Sequence, residues 1–500
     1  MAMPGILGFL LSLDTTTILI ATVTLLIVTY IFSMKERAGI PPGPPFLPIV
    51  GNILNMRGAY VGKRHKYFAE LKEKYGDIFR IYLGPKLVVV LNSFETVNEV
   101  FVKLKETFAA RPTEQLWGIN LATNNGRGIV WSNGDEWKTV RRTSLHALRD
   151  LGVGKSSIEE KLKEEVCALL DALSDIEGEP VCVHKYLMKA TTNIICGIAF
   201  GTRFDYNNTE FLNVIAFVDS SFRNDGAFGT IHVLPLLRFT PFLMGYYKRF
   251  QRNFVGIQNF ILRRIQEHKE TFNKDDIRDF IDACLSNREK TDYFDDDGML
   301  RAIVDLFIAG SDTTAGSLDW ARLYMILNPD IQKKCQGEID SVVGSNRTVS
   351  LSDKSKLPYV EATILEVQRL GNTAPASLPH MANEDAMVNG YLIPKGSMVF
   401  ANLYGCHLDP KYWDDPKTFK PERFLDGAGK LKKHPSFVPF STGSRICPGE
   451  SLAKMELFLF FSNILQRFTV LKTGSGELST EGYFGVSMST PQYFLKLKRR

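Results

Sequence analysis

The chain predicts a mostly α-helical protein with a smaller β region, preceded by a transmembrane helix. Three observations carry this. Arg301 to Arg322 and Leu452 to Phe468 are long apolar runs with helical spacing, and helical segments dominate the middle of the chain. The strand-like runs are short: Ile78 to Leu83 and Lys86 to Leu91, joined by Gly84-Pro85 as in a hairpin. Thr15 to Met34 gives twenty residues without charge, rich in Ile, Leu and Val, which is about the length that crosses a bilayer.

In chain order, the first element is that apolar stretch. From Met1 to Met34 the only charged side chain is Asp14, and Lys35-Glu36-Arg37 follows. Basic flanks favour the cytoplasmic side. No basic region precedes the stretch and no A-x-A site ends it, which argues against a cleaved signal peptide. Ile40-Pro-Pro-Gly-Pro-Pro45 is then a stiff, extended linker. The expected layout is an anchor over 1–34, a basic and proline-rich linker over 35–45, and one large body over 46–500.

Composition sets the class of that body. The 500 residues are 44% hydrophobic and 23% charged, ordinary for a chain with a large core. Net charge is +5 and the only basic block is the short tail Lys496 to Arg500. That argues against nucleic acid and for a modestly basic docking face for an acidic partner. Seven cysteines, an odd number without C-x-x-C, indicate a reducing compartment and no disulfide framework. The triplets Asn207-Asn208-Thr209 and Asn346-Arg347-Thr348 would go unglycosylated in a cytosolic body. There is no internal repeat and no low-complexity tract.

Within the body, a helix over Tyr67 to Tyr75 leads into the hairpin. A helix beginning near Gly134 places Trp137 and Arg141 on one face, an indole N–H and a guanidinium that both bind carboxylates. Leu236 to Tyr247 is apolar and aromatic without an acidic residue, and reads equally as core or as a dip into the bilayer interface. The long helix Arg301 to Arg322 contains Ala309-Gly310-Ser311-Asp312-Thr313-Thr314, poor residues for a helix interior. Hydroxyls there can bond back to the preceding turn, so a local bulge is expected, the alternative being a capped break at Ser311-Asp312. Glu366 and Arg369 lie three apart in the helix Glu361 to Leu370, a common ion-pair spacing.

The stretch that organises the chain is Phe440 to Glu450, FSTGSRICPGE. Gly443 and Gly449 let the backbone turn tightly and let a flat ligand approach. Pro448 suits the first turn of the helix that follows. A helix N-terminus favours negative charge, biasing Cys447 towards thiolate. One thiolate without Cys or His partners does not make a zinc site. It suits one axial position on a metal held by something else, such as a haem.

The pattern F-x-x-G-x-R-x-C-x-G, with Phe440, Gly443, Arg445, Cys447 and Gly449, resembles the cysteine loop of the cytochrome P-450 haem-thiolate family. The resemblance runs from about residue 40 to the C-terminus and implies that family's fold, with a long central helix crossing the haem. It implies haem b with Cys447 as axial ligand. Trp137, Arg141, Arg111 and His380 would bind propionates. Ala309 to Thr314 resembles the segment on the haem face opposite the cysteine, where Gly310 would make room for dioxygen. Thr313 would hold an ordered water and help deliver protons, with Asp312 beside it. Glu366, Arg369 and Arg423 resemble the family's ion-pair trio, serving fold and haem loading. Substrate contacts by the family's layout are the Gly118 to Asn125 loop, Phe307, Ala309, Thr373 to Leu378, and Val486-Ser487. Most are small or apolar, which fits a lipophilic, uncharged or weakly acidic substrate.

The proline-rich segment after an anchor resembles the microsomal family-two members of animals, which handle drugs, steroids and fatty acids. That implies a monooxygenase of the endoplasmic reticulum membrane. No flavin or nicotinamide motif is visible, so electrons from NADPH would come through a flavoprotein reductase, with cytochrome b5 as a further partner. The alternatives are a haem-thiolate isomerase or dehydratase, against which Thr313 argues, and a haem protein that binds a small molecule without turnover.

Overall fold

The computed structural model describes residues 14–33, 37–56, 62–222 and 227–500. Its principal helices are α1 Thr15–Ser33, α2 Arg64–Tyr75, α3 Gly134–Asp150, α4 Glu159–Ser174, α5 His184–Ala199, α6 Thr209–Phe222, α7 Pro241–Thr271, α8 Asp296–Leu327, α9 Pro358–Gly371 and α10 Glu450–Arg467. The strands are short: β1 Ile78–Leu83, β2 Lys86–Leu91, β3 His380–Met381, β4 Ala386–Val388, β5 Tyr391–Ile393, β6 Met398–Ala401, β7 Phe468–Lys472, β8 Tyr483–Phe484, β9 Met488–Ser489 and β10 Leu495–Arg499. The hairpin stands at its expected residues, with Ile78 opposite Leu91 and Leu83 opposite Lys86. Val88 to Leu91 are fully buried because β2 is an inner strand, in a sheet ordered β1-β2-β6-β3. Antiparallel pairing of β3 with β6 sets His380 opposite Val399 and fixes the histidine at the sheet edge.

The organising helix is α8. It runs 32 residues, about 48 Å at 1.5 Å per residue. It begins at Asp295, whose side chain accepts from the Gly298 amide. The expected bulge at Ala309 to Thr314 is absent, and so is the capped break: α8 runs unbroken through the segment. Thr313 Oγ1 donates to Ala309 O at 2.7 Å and Ser317 Oγ to Thr313 O at 2.9 Å. A third hydroxyl comes from outside, Thr191 of α5 donating to Ser311 O at 2.8 Å.

Gly310 is also used differently from the expectation. A Cβ on it would collide with the side chain of Ile195, so its bareness lets α5 and α8 approach. Phe307 is fully buried and stacks on Phe200 at 5.3 Å, with Phe260 edge-on. It belongs to the core and not to a substrate surface.

At the N-terminal end, α1 covers 19 residues without a charged side chain, and Leu19, Ile20 and Leu25 are more than half exposed. Among the described residues, no helix is long and apolar enough to cross a membrane. Residues 1–13, and Lys35 and Glu36 of the basic flank, lie outside the described residues. The Leu236 to Tyr247 stretch does not form ordinary core: Leu236 is 78% and Phe239 61% exposed, while Leu243 is buried. All seven cysteines are free.

Candidate active site

The Cys447 loop precedes α10 and is closed by the Cys447 amide donating to Phe440 O at 3.0 Å. Gly443 has φ +80 and presses on Phe101, whose carbonyl oxygen a Cβ would overlap, so no other residue fits there. Gly449 is different. It is the helix cap with φ −90, open to any residue, and a Cβ would lie 3.9 Å from the Cys447 sulfur. A side chain there would meet the sulfur at ordinary contact distance, so the protein itself does not demand glycine at this position. Pro448 precedes the cap and does not enter the first turn. The thiol itself departs from expectation. Amides of Gly449 and Glu450 pull its pKa down, but burial outweighs them and pushes it up. A bound metal would supply the ionisation, since ligation removes the proton.

Around the loop the structure gathers cations. Arg445 is buried, lies 3.8 Å over the Trp137 ring, and donates to Ala109 O and Ser132 O. Arg111 is buried too and donates to Leu378 O and Pro379 O. Arg141 donates to Ile446 O beside the cysteine. Burial and mutual repulsion push Arg445 down to about 8 and, with Arg141, Arg111 down to about 9. Among the described residues no carboxylate pairs with any of the three. Trp137 Nε1 is buried without a hydrogen-bond partner. Three crowded guanidiniums and an orphaned indole donor call for an anion, and a haem with two propionates supplies one. The donor set fits that group.

His380 fits it less simply. Its Nδ1 donates to Phe108 O at 2.7 Å and its ring stacks on Phe101 at 3.9 Å. Burial and the nearby Arg111 hold its pKa well below the ordinary value. With Nδ1 donating, Nε2 of the neutral ring carries a lone pair and repels a carboxylate. His380 meets a propionate only as the imidazolium.

On α8, Asp312 is buried and accepts from Ser487 Oγ at 2.8 Å. Thr313 shares a face with Ser317, whose hydroxyl meets Thr373 Oγ1 at 2.9 Å. Ala309 is exposed between buried Phe307 and Ser311, Val486 is exposed between buried neighbours, and Leu378 is exposed before buried Pro379. Gly118 instead packs against His232, where a Cβ would collide with the imidazole.

The trio meets with Glu366 and Arg369 fully buried and Arg423 at the edge of the burial. Glu366 accepts from Arg369 Nε at 2.7 Å and Arg423 Nε at 3.0 Å, and the Lys420 amide adds a bond at 2.9 Å. Both guanidiniums spend their other donors on carbonyls, Arg369 on His407 and Pro416, Arg423 on Asp414 and Thr418. A buried carboxylate so satisfied is tolerable.

The chain matches the Cytochrome P450 family over residues 41–497. It is a cytochrome P450. It is 39% identical to mouse cytochrome P450 2U1, with 94% of this chain and 93% of that protein covered. It is 37% identical to mouse cytochrome P450 2J5, with 95% of each covered, and 39% identical to rat cytochrome P450 2B2, with 87% and 89% covered. This P450 is therefore a family-two-like monooxygenase, and the family implies a haem-thiolate cofactor.

Sequence reading missed two participants in this P450's site. Asn133 accepts from the Arg111 amide and returns a bond to Arg111 O, tying the segment to α3. Its place just before the predicted helix was the available signal. Glu456 of α10 is 2% exposed, neighbours Thr314, and has one oxygen without a partner among the described residues. A lone acid inside the apolar run Leu452 to Phe468 was the signal there.

Proposed function

We propose that this protein inserts one atom of O2 into a lipophilic small molecule, a xenobiotic, steroid or fatty acid. The balance is substrate C–H, O2, NADPH and H⁺ giving C–OH, H2O and NADP⁺. The carrying observation is the anion-seeking cluster Arg111, Trp137, Arg141 and Arg445 packed around the Cys447 loop. Haem b held there by the Cys447 thiolate would supply oxygen activation. Trp137, Arg141, Arg111 and Arg445 would face the propionates, while Arg445 also ties the loop to Ala109 O and Ser132 O and Arg111 ties its own segment to Leu378 O and Pro379 O. Thr313 spends its proton on Ala309 O and keeps lone pairs to accept from a water. Asp312, aimed at Ser487, is the neighbouring acid through which protons would pass. Ala309, Thr373, Leu378 and Val486 would contact substrate.

Electrons would come from NADPH through a cytochrome P-450 reductase, with cytochrome b5 as a second donor. The proposed setting is the endoplasmic reticulum membrane, anchored by residues 1–34, linked by 35–45, with the body 46–500 in the cytosol. The apolar α1 and the exposed Leu236 and Phe239 support that setting. The test has two parts. Cys447→Ala should lose the reduced carbon monoxide band of thiolate ligation, and its retention would sink the assignment. With wild type, product should require both NADPH and reductase. Product without NADPH would make the protein an isomerase or dehydratase, and no product under either condition would make it a binder.

A further inference from the structure

His184 ties three helices together through acids. It is the first residue of α5 and is 8% exposed. Its Nε2 stands 3.6 Å from Asp219 Oδ1 on α6, and its Nδ1 stands 3.6 Å from Asp319 Oδ2 on α8. A ring nitrogen of His184 and carboxylate oxygens of Asp219 and Asp312 all lie within 4.8 Å of one another. The acids differ in access. The Asp219 side chain is 38% exposed, whereas Asp312 and Asp319 are buried. The cluster therefore reaches from solvent at Asp219 to the acid next to Thr313.

Charge favours an imidazolium in this place. A helix N-terminus disfavours a cation, so the charged ring rests on the carboxylates that face it. Asp219, Asp312 and Asp319 stand against one buried cation, Arg322, which acts on Asp319. Burial pushes the Asp319 carboxyl up, but His184, Arg322 and the Thr490 hydroxyl outweigh it and hold its pKa below the ordinary value. Tyr493 donates to Asp319 Oδ1 at 3.1 Å and fixes its position. The same cluster calls for water. Arg322 Nε and Nη2, and Ser311 Oγ beside Asp312, are buried without a hydrogen-bond partner among the described residues. Ordered water meets such groups, and separations of up to 4.8 Å admit one bridging molecule.

We infer that His184 is a positioning residue for the reaction, supplying Asp312 with protons drawn from solvent at Asp219. The inference rests on the monooxygenase reading, in which Asp312 feeds Thr313. In each passage the imidazolium gives one proton to the Asp312 carboxylate, directly or through one water. The neutral ring then takes a proton from water at Asp219. No electron moves, and one proton is carried inward.

Two readouts on the haem-loaded full chain test this. The first needs no turnover: nuclear magnetic resonance of isotope-labelled histidine in the reduced carbon monoxide form, with the His184 signal identified by its loss in His184→Gln. Asp219→Asn should lower the His184 titration midpoint by about one pH unit, because a facing carboxylate favours the charged ring. Asp219→Glu should restore it. The second readout is product per NADPH, with reductase, from acid to alkaline pH. In wild type it should fall as pH rises through the His184 midpoint. In His184→Gln it should be about 10-fold lower on the acid side and level across the range, with KM unchanged, since water left in the path softens the roughly 10²–10⁴-fold of a direct proton donor. A midpoint unmoved by Asp219→Asn would overturn the proposal. So would a pH profile of His184→Gln that keeps the wild-type shape, whether or not its level drops, which would leave His184 a support for the α5–α8 contact. Wild type without product would remove the monooxygenase reading and the inference with it, so the two failures are told apart.

Discussion

At the scale of single residues, the proposed chemistry is tested at groups whose surroundings bear on proton transfer. Thr313 is the clearest, because its hydroxyl already has an acceptor in Ala309 O and lies next to Asp312. Thr313→Ala should keep fold and haem but divert electrons. NADPH oxidation should continue while product per NADPH falls and hydrogen peroxide rises, and Thr313→Ser should lie near wild type. A proton-transfer group is typically worth about 10²–10⁴-fold, and waters that substitute would reduce the loss. Unchanged coupling in Thr313→Ala would leave it a packing residue. Glu456 makes a second, independent prediction. Burial raises its pKa to about 8, restrained only by the Thr314 hydroxyl. A raised carboxyl pKa means the native state holds a proton that the unfolded chain releases. Its contribution is fully present below the unfolded value and is lost as pH rises through the folded one, so the window is about pH 4.5 to 8. Glu456→Gln, neutral at every pH, should gain on wild type across that window when thermal unfolding is followed from acid to alkaline pH. A difference that does not change with pH would show that Glu456 is ionised in the fold.

At the scale of elements, α8 shows what patterning reveals and what it hides. The helix itself was legible, because an apolar run of helical period admits little else. Its interior was not, because a Gly and several hydroxyls in sequence look like a breaker whether or not they have partners. The partners come from another helix: Thr191 reaches Ser311 O, and Ile195 occupies the space over Gly310. The same limit applies to Phe307, whose apolar character is the same against a substrate or against Phe200. It does not apply to Cys447 or to Glu366 and Arg369, where spacing within one segment carries the geometry. Arg423 came from the resemblance, since nothing local ties it to Glu366. The α5–α8 contact makes a prediction at this scale. Gly310→Ala should destabilise by about 1–3 kcal/mol, the cost of overpacking a core. Trimming the opposing side chain in Ile195→Val should recover part of it, because residues in contact are not additive. Thermal melts of the two single variants and the double variant measure the coupling. Strict additivity would mean that the helices part to admit the methyl and that Gly310 serves the space over the haem after all.

At the scale of the whole molecule, the proposed membrane setting makes predictions of its own. The apolar α1 carries Ile18, Leu19, Ile20 and Leu25 exposed, and Leu236 and Phe239 are exposed far along the chain, in the short turn just before α7. Exposed apolar residues at two separate places suit one lipid surface touched twice. A chain starting near Lys35 should therefore become more soluble yet retain the reduced carbon monoxide band, since nothing in the Cys447 cluster involves α1. It should still associate with vesicles, more weakly, until Leu236 and Phe239 are both changed to Ser. Orientation is read separately. Asn207 and Asn346 are both exposed, so each is open to the glycosylation machinery if the body lies in the lumen. The full chain expressed in cells should carry no sugar at either residue. A shift in mass abolished by Asn207→Gln or Asn346→Gln would place the body in the lumen and remove it from a cytosolic reductase. Full solubility of the shortened chain with no residual vesicle binding would instead leave α1 as the sole contact and reduce Leu236 and Phe239 to an exposed patch.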